Sequence, residues 1–424
     1  MGKFLPWGIF HVAWGIFFEP SDNRAQLWLI GLHLSHWHSG KDLVNTSQLQ
    51  TKDARRKMQV VQKLVYLSTT VVLLVQLGRS NKFASQLYHQ ASRKNLHRNI
   101  VLSPASTNLA LGSVYFGMKH CKELQAVMEQ VAHGDIFLDD VTMVNRIFVD
   151  RDVPLLSGYQ KKTAEINKWN ADRVHFGDPQ GASDAINDFI RLTTNHKMDN
   201  LFHHTRIKKN TKMVVANSAH FHGKWASVFS ISNTRKRPFY QGNGFDIPVD
   251  TMETFGTFLW GESSDLDAEV VEVPYQNNQL SMLILMPRDS EKGLPELSNL
   301  INNTDLMKVA RNLEQRMIHL LLPKFRVHSR IALESILKPL GVRSLFMNPN
   351  LIGLTGEKDK SYKINTMLHS SFIEISEFDS QSEKIEFKGR GEPIQFWANR
   401  PFIFAVKNPN HIYFIGHVAV PKVT

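Results

Sequence analysis

His220 and His222 stand two residues apart, and a strand over residues 211–222 would turn both imidazoles to one face, a spacing that some metal sites use. A third ligand at sensible spacing is missing, so no metal is assigned to the pair. His203-His204 reads as a solvated turn. Ser, His and Asp are plentiful, but no G-x-S-x-G elbow fixes a nucleophile. The phosphate loop G-x-x-x-x-G-K-[ST], a G-x-G-x-x-G after a strand, and H-E-x-x-H are absent as well. An enzyme is not expected, and nothing in the sequence calls for a cofactor. Cys121 is the only cysteine, which rules out a disulfide within the chain and a cysteine-based zinc site. Its expected role is a buried thiol.

The elements that would position such groups begin well inside the chain. Arg55-Arg56-Lys57-Met58 precedes an apolar run over residues 64–77, which Gly78-Arg79-Ser80 closes. A basic flank, an apolar stretch of that length and small residues after it form a signal-peptide pattern over 58–80. The run is too short and too Ser/Thr-interrupted for a good membrane span. On this reading the working protein starts near residue 79, acts in the extracellular space and has no membrane span in its mature form. Residues 1–57 are then an extension, expected to be disordered, without a sustained helical or strand period. Asn302-Asn303-Thr304 is a glycosylation sequon that fits secretion.

The net charge is +11, and residues 1–57 carry seven Lys/Arg against four Asp/Glu, or +3, which leaves +8 for the rest. A basic surface favours acidic partners. Its cations are scattered, with small clusters at Arg206/Lys208/Lys209/Lys212 and Arg235/Lys236/Arg237, which read as a solvated face. Weak polyanion contact is the partner this implies, and no nucleic-acid signature accompanies it.

No linker or repeat divides residues 81–424, so one large, monomeric domain is expected. Helical spacing marks 81–96, 120–133 and 183–199. Ser103-Pro104 opens another helix, serine as cap and proline in the first turn. Strands are expected over 99–102, 143–150, 211–222, 268–275, 279–287, 317–327, 371–376, 400–407 and 412–419, with a helix over 331–346 despite Pro339. Helices and long strands without βαβ alternation give an α+β class.

Six segments, in order from about residue 82 to 421, form one set. They are Asn99-Ile100-Val101-Leu102-Ser103-Pro104; Ala185-Ile186-Asn187-Asp188-Phe189 with Thr194 to Met198; and Val215-Ala216-Asn217-Ser218-Ala219-His220-Phe221-His222-Gly223-Lys224-Trp225. Glu272-Val273-Pro274-Tyr275 with Ser281 to Pro287, Leu322-Pro323-Lys324-Phe325 with Leu340-Gly341-Val342, and Asn399-Arg400-Pro401-Phe402 with Phe414 to Val418 complete the set. The set resembles the serpins, insect-like secreted members in particular, and that resemblance implies a serpin fold of three β-sheets and about eight to nine helices. An exposed reactive loop would span about 377–396.

In that family the loop is bait for a serine protease. Cleavage gives an acyl-enzyme, and the freed loop inserts into the largest sheet and drags the protease with it. The resemblance places Ser103, Asn217 and His369 in a polar network beneath the opening sheet and Trp225 where the loop enters. It puts Glu377 at the start of the hinge. The scissile position falls at Arg390, before Gly391, which suits a trypsin-like protease; Lys388 is the alternative. The hinge departs from the family's small-residue run, since Asp379 replaces a glycine. One insertion register turns Ser380, Ser382, Lys384 and Glu386 inward, and the other buries Glu383. Burying such a charge unpaired costs on the order of several kcal/mol. The loop is also about three residues short, or roughly 10 Å of reach. A substrate-like or carrier serpin is therefore the alternative to a trapping inhibitor. The segment between 130 and 145 is short too, which truncates the helix that binds heparin in some relatives.

Overall fold

A computed structural model describes residues 82–118, 137–167, 171–198, 201–227, 229–241, 246–276, 278–289, 293–347, 349–357, 362–377 and 392–422. The chain divides into two units, Met1–Val75 and Gln76–Thr424, and the described residues all belong to the second. The signal-like run, Cys121 and the helix expected over 120–133 lie outside the described residues.

The first half of the second unit contains α1 (82–92), β1 (Ile100–Leu102), α2 (Pro104–Tyr115), β2 (Val141–Asp150), α3 (Ser157–Asn167), β3 (Ala171–Val174), α4 (Pro179–Thr193) and β4 (Met213–Phe221). Next come β5 (Arg235–Tyr240), β6 (Asp246–Ser263), β7 (Ala268–Pro274), β8 (Ser281–Pro287), α5 (Gly293–Leu300), α6 (Leu306–Arg311), β9 (Glu314–Pro323) and β10 (Phe325–Ala332). The chain continues through α7 (Glu334–Leu337), α8 (Ser344–Met347), α9 (Ile352–Thr355), β11 (Thr366–Ile375), β12 (Ile394–Trp397), β13 (Phe402–Lys407) and β14 (Ile412–Val418).

One sheet has five strands in the order β10-β11-β4-β2-β3. Its centre is a parallel pairing of β11 with β4, from Thr366↔Val214 to Ile373↔Phe221. The other nine strands form one hydrogen-bonded sheet through the 18-residue β6, eight of them along one path and β5 as a branch from β6. Near its start β6 pairs with β5, along its middle with β9, and at its end with β7. It thus joins a small group (β5, β6, β9, β12) to a second one (β7, β8, β13, β14, β1). With the five-stranded sheet, these make three groups of strands.

Local chemistry accounts for the elements around the central pairing. The Ser103 hydroxyl accepts from the Ser106 N–H at 3.1 Å, and Pro104 occupies the first turn of α2. Helix α2 intersperses small and apolar residues with Ser106, Thr107, Asn108 and Ser113, so it has no separate polar face, and it is buried from Pro104 to Val114. Helix α4 has one apolar stripe, Ala182, Ile186 and Ile190, which it buries against the five-stranded sheet together with Phe148, Val214 and Leu368. All nine residues of β4 are buried, so the strand is covered on both faces.

Three expectations need correction. The helix read over 183–199 starts at Pro179 behind the Asp178 cap and stops at Thr193, because Asn195 and His196 take positive φ of 48° and 61°. The run over 317–327 is two strands that break at Lys324. The helix read over 331–346 is strand to Ala332, then the single turns α7 and α8, separated by Pro339 and by Gly341 at φ +95°. The long β6 was not expected, because its burial alternates too irregularly to leave a period-2 pattern.

Candidate functional site

Asn145, Asn217 and His369 stand opposite one another on β2, β4 and β11 and form a polar row across the five-stranded sheet. Each is buried. Asn217 Nδ2 has three acceptors in reach of its two hydrogens: the Ser106 carbonyl at 2.8 Å, the Ser106 hydroxyl at 2.7 Å and Asn145 Oδ1. Asn217 Oδ1 accepts from His369 Nδ1. The Ser103 N–H donates to His369 Nε2 at 2.9 Å, and the Ser371 hydroxyl reaches the same nitrogen. These partners fix the tautomer: a proton on Nδ1, and a bare Nε2 that faces two donors. Burial pushes the imidazole down to about 3, so it stays neutral. The structure thus brings Ser103, Asn217 and His369 together, tying the N-terminus of α2 to the one place where two parallel strands meet at the sheet centre. Ser106, Asn145 and Ser371 complete the network, and nothing in their sequence context marked them.

Trp225 and Glu377 lie at the far end of the same seam, each engaged by its own partners. The indole N–H of Trp225 donates to the Ser376 carbonyl at 3.0 Å, and its ring stacks on Tyr275 at 4.4 Å. Glu377 is buried, accepts from the Thr234 hydroxyl at 2.6 Å and pairs with Lys324 Nζ at 2.8 Å. Burial alone would raise this carboxyl, but the hydrogen bonds from Lys324 and Thr234 outweigh it and hold it below its usual value. Lys324 is the residue that breaks β9 from β10, so the break in the strand run delivers the cation to Glu377. Lys324→Ala is expected to cost about 1–3 kcal/mol of stability at neutral pH. A folded carboxyl with a lowered pKa stabilises above its unfolded value, and that benefit fades as pH falls through the folded one. The penalty should therefore shrink below about pH 4, which urea unfolding of both proteins at two pH values would read.

Asp379, Ser380, Ser382, Lys384, Glu386, Lys388, Arg390 and Gly391 all lie outside the described residues. Asn302 is half-buried on a turn after α5. His220 and His222 have near-parallel rings 6.4 Å apart. Among the described residues, no group of three His, Cys, Asp or Glu could hold a metal ion, and no helix is long and apolar enough to cross a membrane.

The model of the family described as "Serpin (serine protease inhibitor)" matches residues 78–421. The chain belongs to the serpin family. It is similar to serine protease inhibitor 42Dd of Drosophila melanogaster, 30% identical over 80% of this chain and 95% of the relative. Among solved serpin structures it is similar to Serpin48 of Tenebrio molitor, at TM-score 0.71 and 25% identity over 82% of this chain and 98% of that one. It is also similar to native protease nexin-1 solved with heparin, at TM-score 0.73 and 25% identity over 82% and 100%. Family membership explains why motifs scattered over 300 residues converge. In the serpin fold the segments around Ser103, Asn217 and His369 are neighbours across one seam, and the segments around Trp225, Lys324 and Glu377 close its end. The relatives include protease inhibitors, insect ones among them.

Proposed function

We propose that this serpin is a secreted suicide inhibitor that offers Arg390–Gly391 to a trypsin-like serine protease, with Lys388 as the alternative residue. The parallel seam between β4 and β11 carries the reading. A strand made from the residues after Glu377 and folded back into that seam would run antiparallel to both neighbours. One parallel junction would become two antiparallel ones, with a new ladder of hydrogen bonds. The Asn217–His369 bond spans the seam and must part to let a strand in. It acts as the catch, and the Trp225–Glu377 cluster as the hinge. Secretion is supported by the 58–80 pattern and by the Asn302 sequon, which would then carry a glycan. The protein would act as a monomer.

A second reading, a serpin that is cleaved without trapping, is favoured by Lys384 and Glu386, which insertion would bury in one register. One experiment separates the two. Incubated with trypsin-like proteases, the secreted protein should give an SDS-resistant covalent band, and Arg390→Ala should abolish it. Clean cleavage beside Arg390 with full protease activity, and little rise in thermal stability afterwards, would refute trapping and leave the second reading.

A further inference from the structure

The start of the seam is ringed by cations that are remote in sequence. Arg206 and Lys208 lie on the lead-in to β4, Lys363 on the lead-in to β11, and Lys338 follows α7. With Glu334 and Asn365 they line a cavity of about 270 Å³. All four cationic residues are exposed, and among the described residues none of them has an ion-pair partner. Lys338 lies over the Phe346 ring at 5.6 Å. The neighbouring Lys212, by contrast, is engaged with Asp150 at 2.6 Å. Glu334 is the one acid in the wall, and both of its oxygens are occupied: one accepts from the Thr366 hydroxyl at 3.1 Å, the other from the Met367 N–H at 3.2 Å. Four positive charges therefore converge on one concavity against a single committed carboxylate. Cations on a convex surface splay into water, whereas these face one another across a hollow that focuses their field.

The cavity also sits on a joint. Asn365 Oδ1 accepts from the N–H groups of Lys212 at 2.9 Å and Met213 at 3.2 Å, and the Asn365 N–H donates to the Met213 carbonyl at 2.9 Å. This clasp ties the first residues of the two parallel strands together. We propose that the cavity binds a compact anion bearing two or more phosphate or sulfate groups, and that its occupancy holds the starts of β4 and β11 closed. The anion bridges cations from both lead-ins, so it binds the closed seam better than an opened one and shifts the population toward it. The regulatory meaning, a brake on strand insertion, rests on the inhibitor reading above.

The test needs no protease. The full chain is titrated calorimetrically at low ionic strength with inorganic pyrophosphate, and separately with sucrose octasulfate. Saturable one-to-one binding is expected, weakened by added salt, and the tighter of the two probes identifies the anion class. The Lys338→Glu/Lys363→Glu double variant should lose at least about tenfold in affinity. Lys209→Glu, outside the cavity, should keep it. The neutral pair Lys208→Gln/Lys363→Gln serves if the charge-reversed protein unfolds, and should lose affinity in the same direction. In the wild type, bound anion should slow hydrogen exchange of the amides at 214–217 and 366–369. No saturable binding, or equal affinity in the cavity variants, overturns the site. Binding with unchanged exchange overturns the clamp. Both measurements are made on the uncleaved protein, so their outcome stays distinct from failure of the trapping assay.

Discussion

Asn217→Ala should lower the free energy of unfolding by about 3–5 kcal/mol. The substitution removes one side chain but strands two buried groups, the Asn145 Oδ1 acceptor and the His369 Nδ1 donor. Each buried group left unpaired costs about 1–3 kcal/mol, and all three side chains of the row are buried. Urea unfolding at neutral pH measures the loss; a change under about 1 kcal/mol would mean that the row is not cooperative. Asn217→Asp gives an independent readout. It keeps an acceptor for Nδ1 and adds a charge, so His369 should titrate far above its wild-type value of about 3, visible as a shift of its ring resonances with pH. On the inhibitor reading, weakening this row should also speed strand insertion, because it bridges the two strands that insertion would have to separate.

Stability should fall steeply as the solution is acidified from neutrality toward pH 5. Burial pushes His369 down to about 3 and His417 to about 4. His417 is held neutral as the opposite tautomer: Nε2–H donates to the Arg98 carbonyl at 2.8 Å, and Nδ1 accepts from the Tyr88 hydroxyl at 2.9 Å. In the unfolded chain both histidines titrate near 6.5, so below that value the unfolded state binds protons that the folded state refuses. Stability therefore rises with pH between the folded and unfolded values, and acid erodes it. Each group contributes a slope of about 1.4 kcal/mol per pH unit inside that window. The pair should cost about 4 kcal/mol between pH 7 and pH 5. His220, also pushed down to about 4 by burial and by the neighbouring His222, adds to the loss. Denaturant unfolding at the two pH values checks this, and flat stability would contradict it. Carboxylates do not produce the same profile, since lowered groups such as Glu377 and Asp150 act below their ordinary range.

Motif order made the fold legible, whereas secondary structure was legible only where burial was uniform. Residues 281–287 and 412–418 are buried throughout and read as continuous apolar runs. Strand β6 turns different faces to different neighbours along its length, so its hydrophobic pattern slips and the strand escaped notice. Asn217 and His369 were findable because their flanking motifs are distinctive. Asn145, Ser106 and Thr234 were not, since a single polar residue in a strand or loop carries no local sign of a partner a hundred residues away. The cation cavity was hidden for the same reason. Arg206 and Lys208 read as a solvated face until folding brings Lys338 and Lys363 beside them.

The geometry of the parallel seam sets how it yields under load. Its eight rungs, from Thr366↔Val214 to Ile373↔Phe221, are tied at one end by Asn365 and lead at the other to the Trp225–Glu377 corner. A wedge driven in from that corner peels the rungs one after another, so each step works against a single pair of amides. Pulling the strands lengthwise would shear all eight at once and meet far greater resistance. Mechanical softness thus depends on direction, and the compliant direction points at the segment that leaves β11.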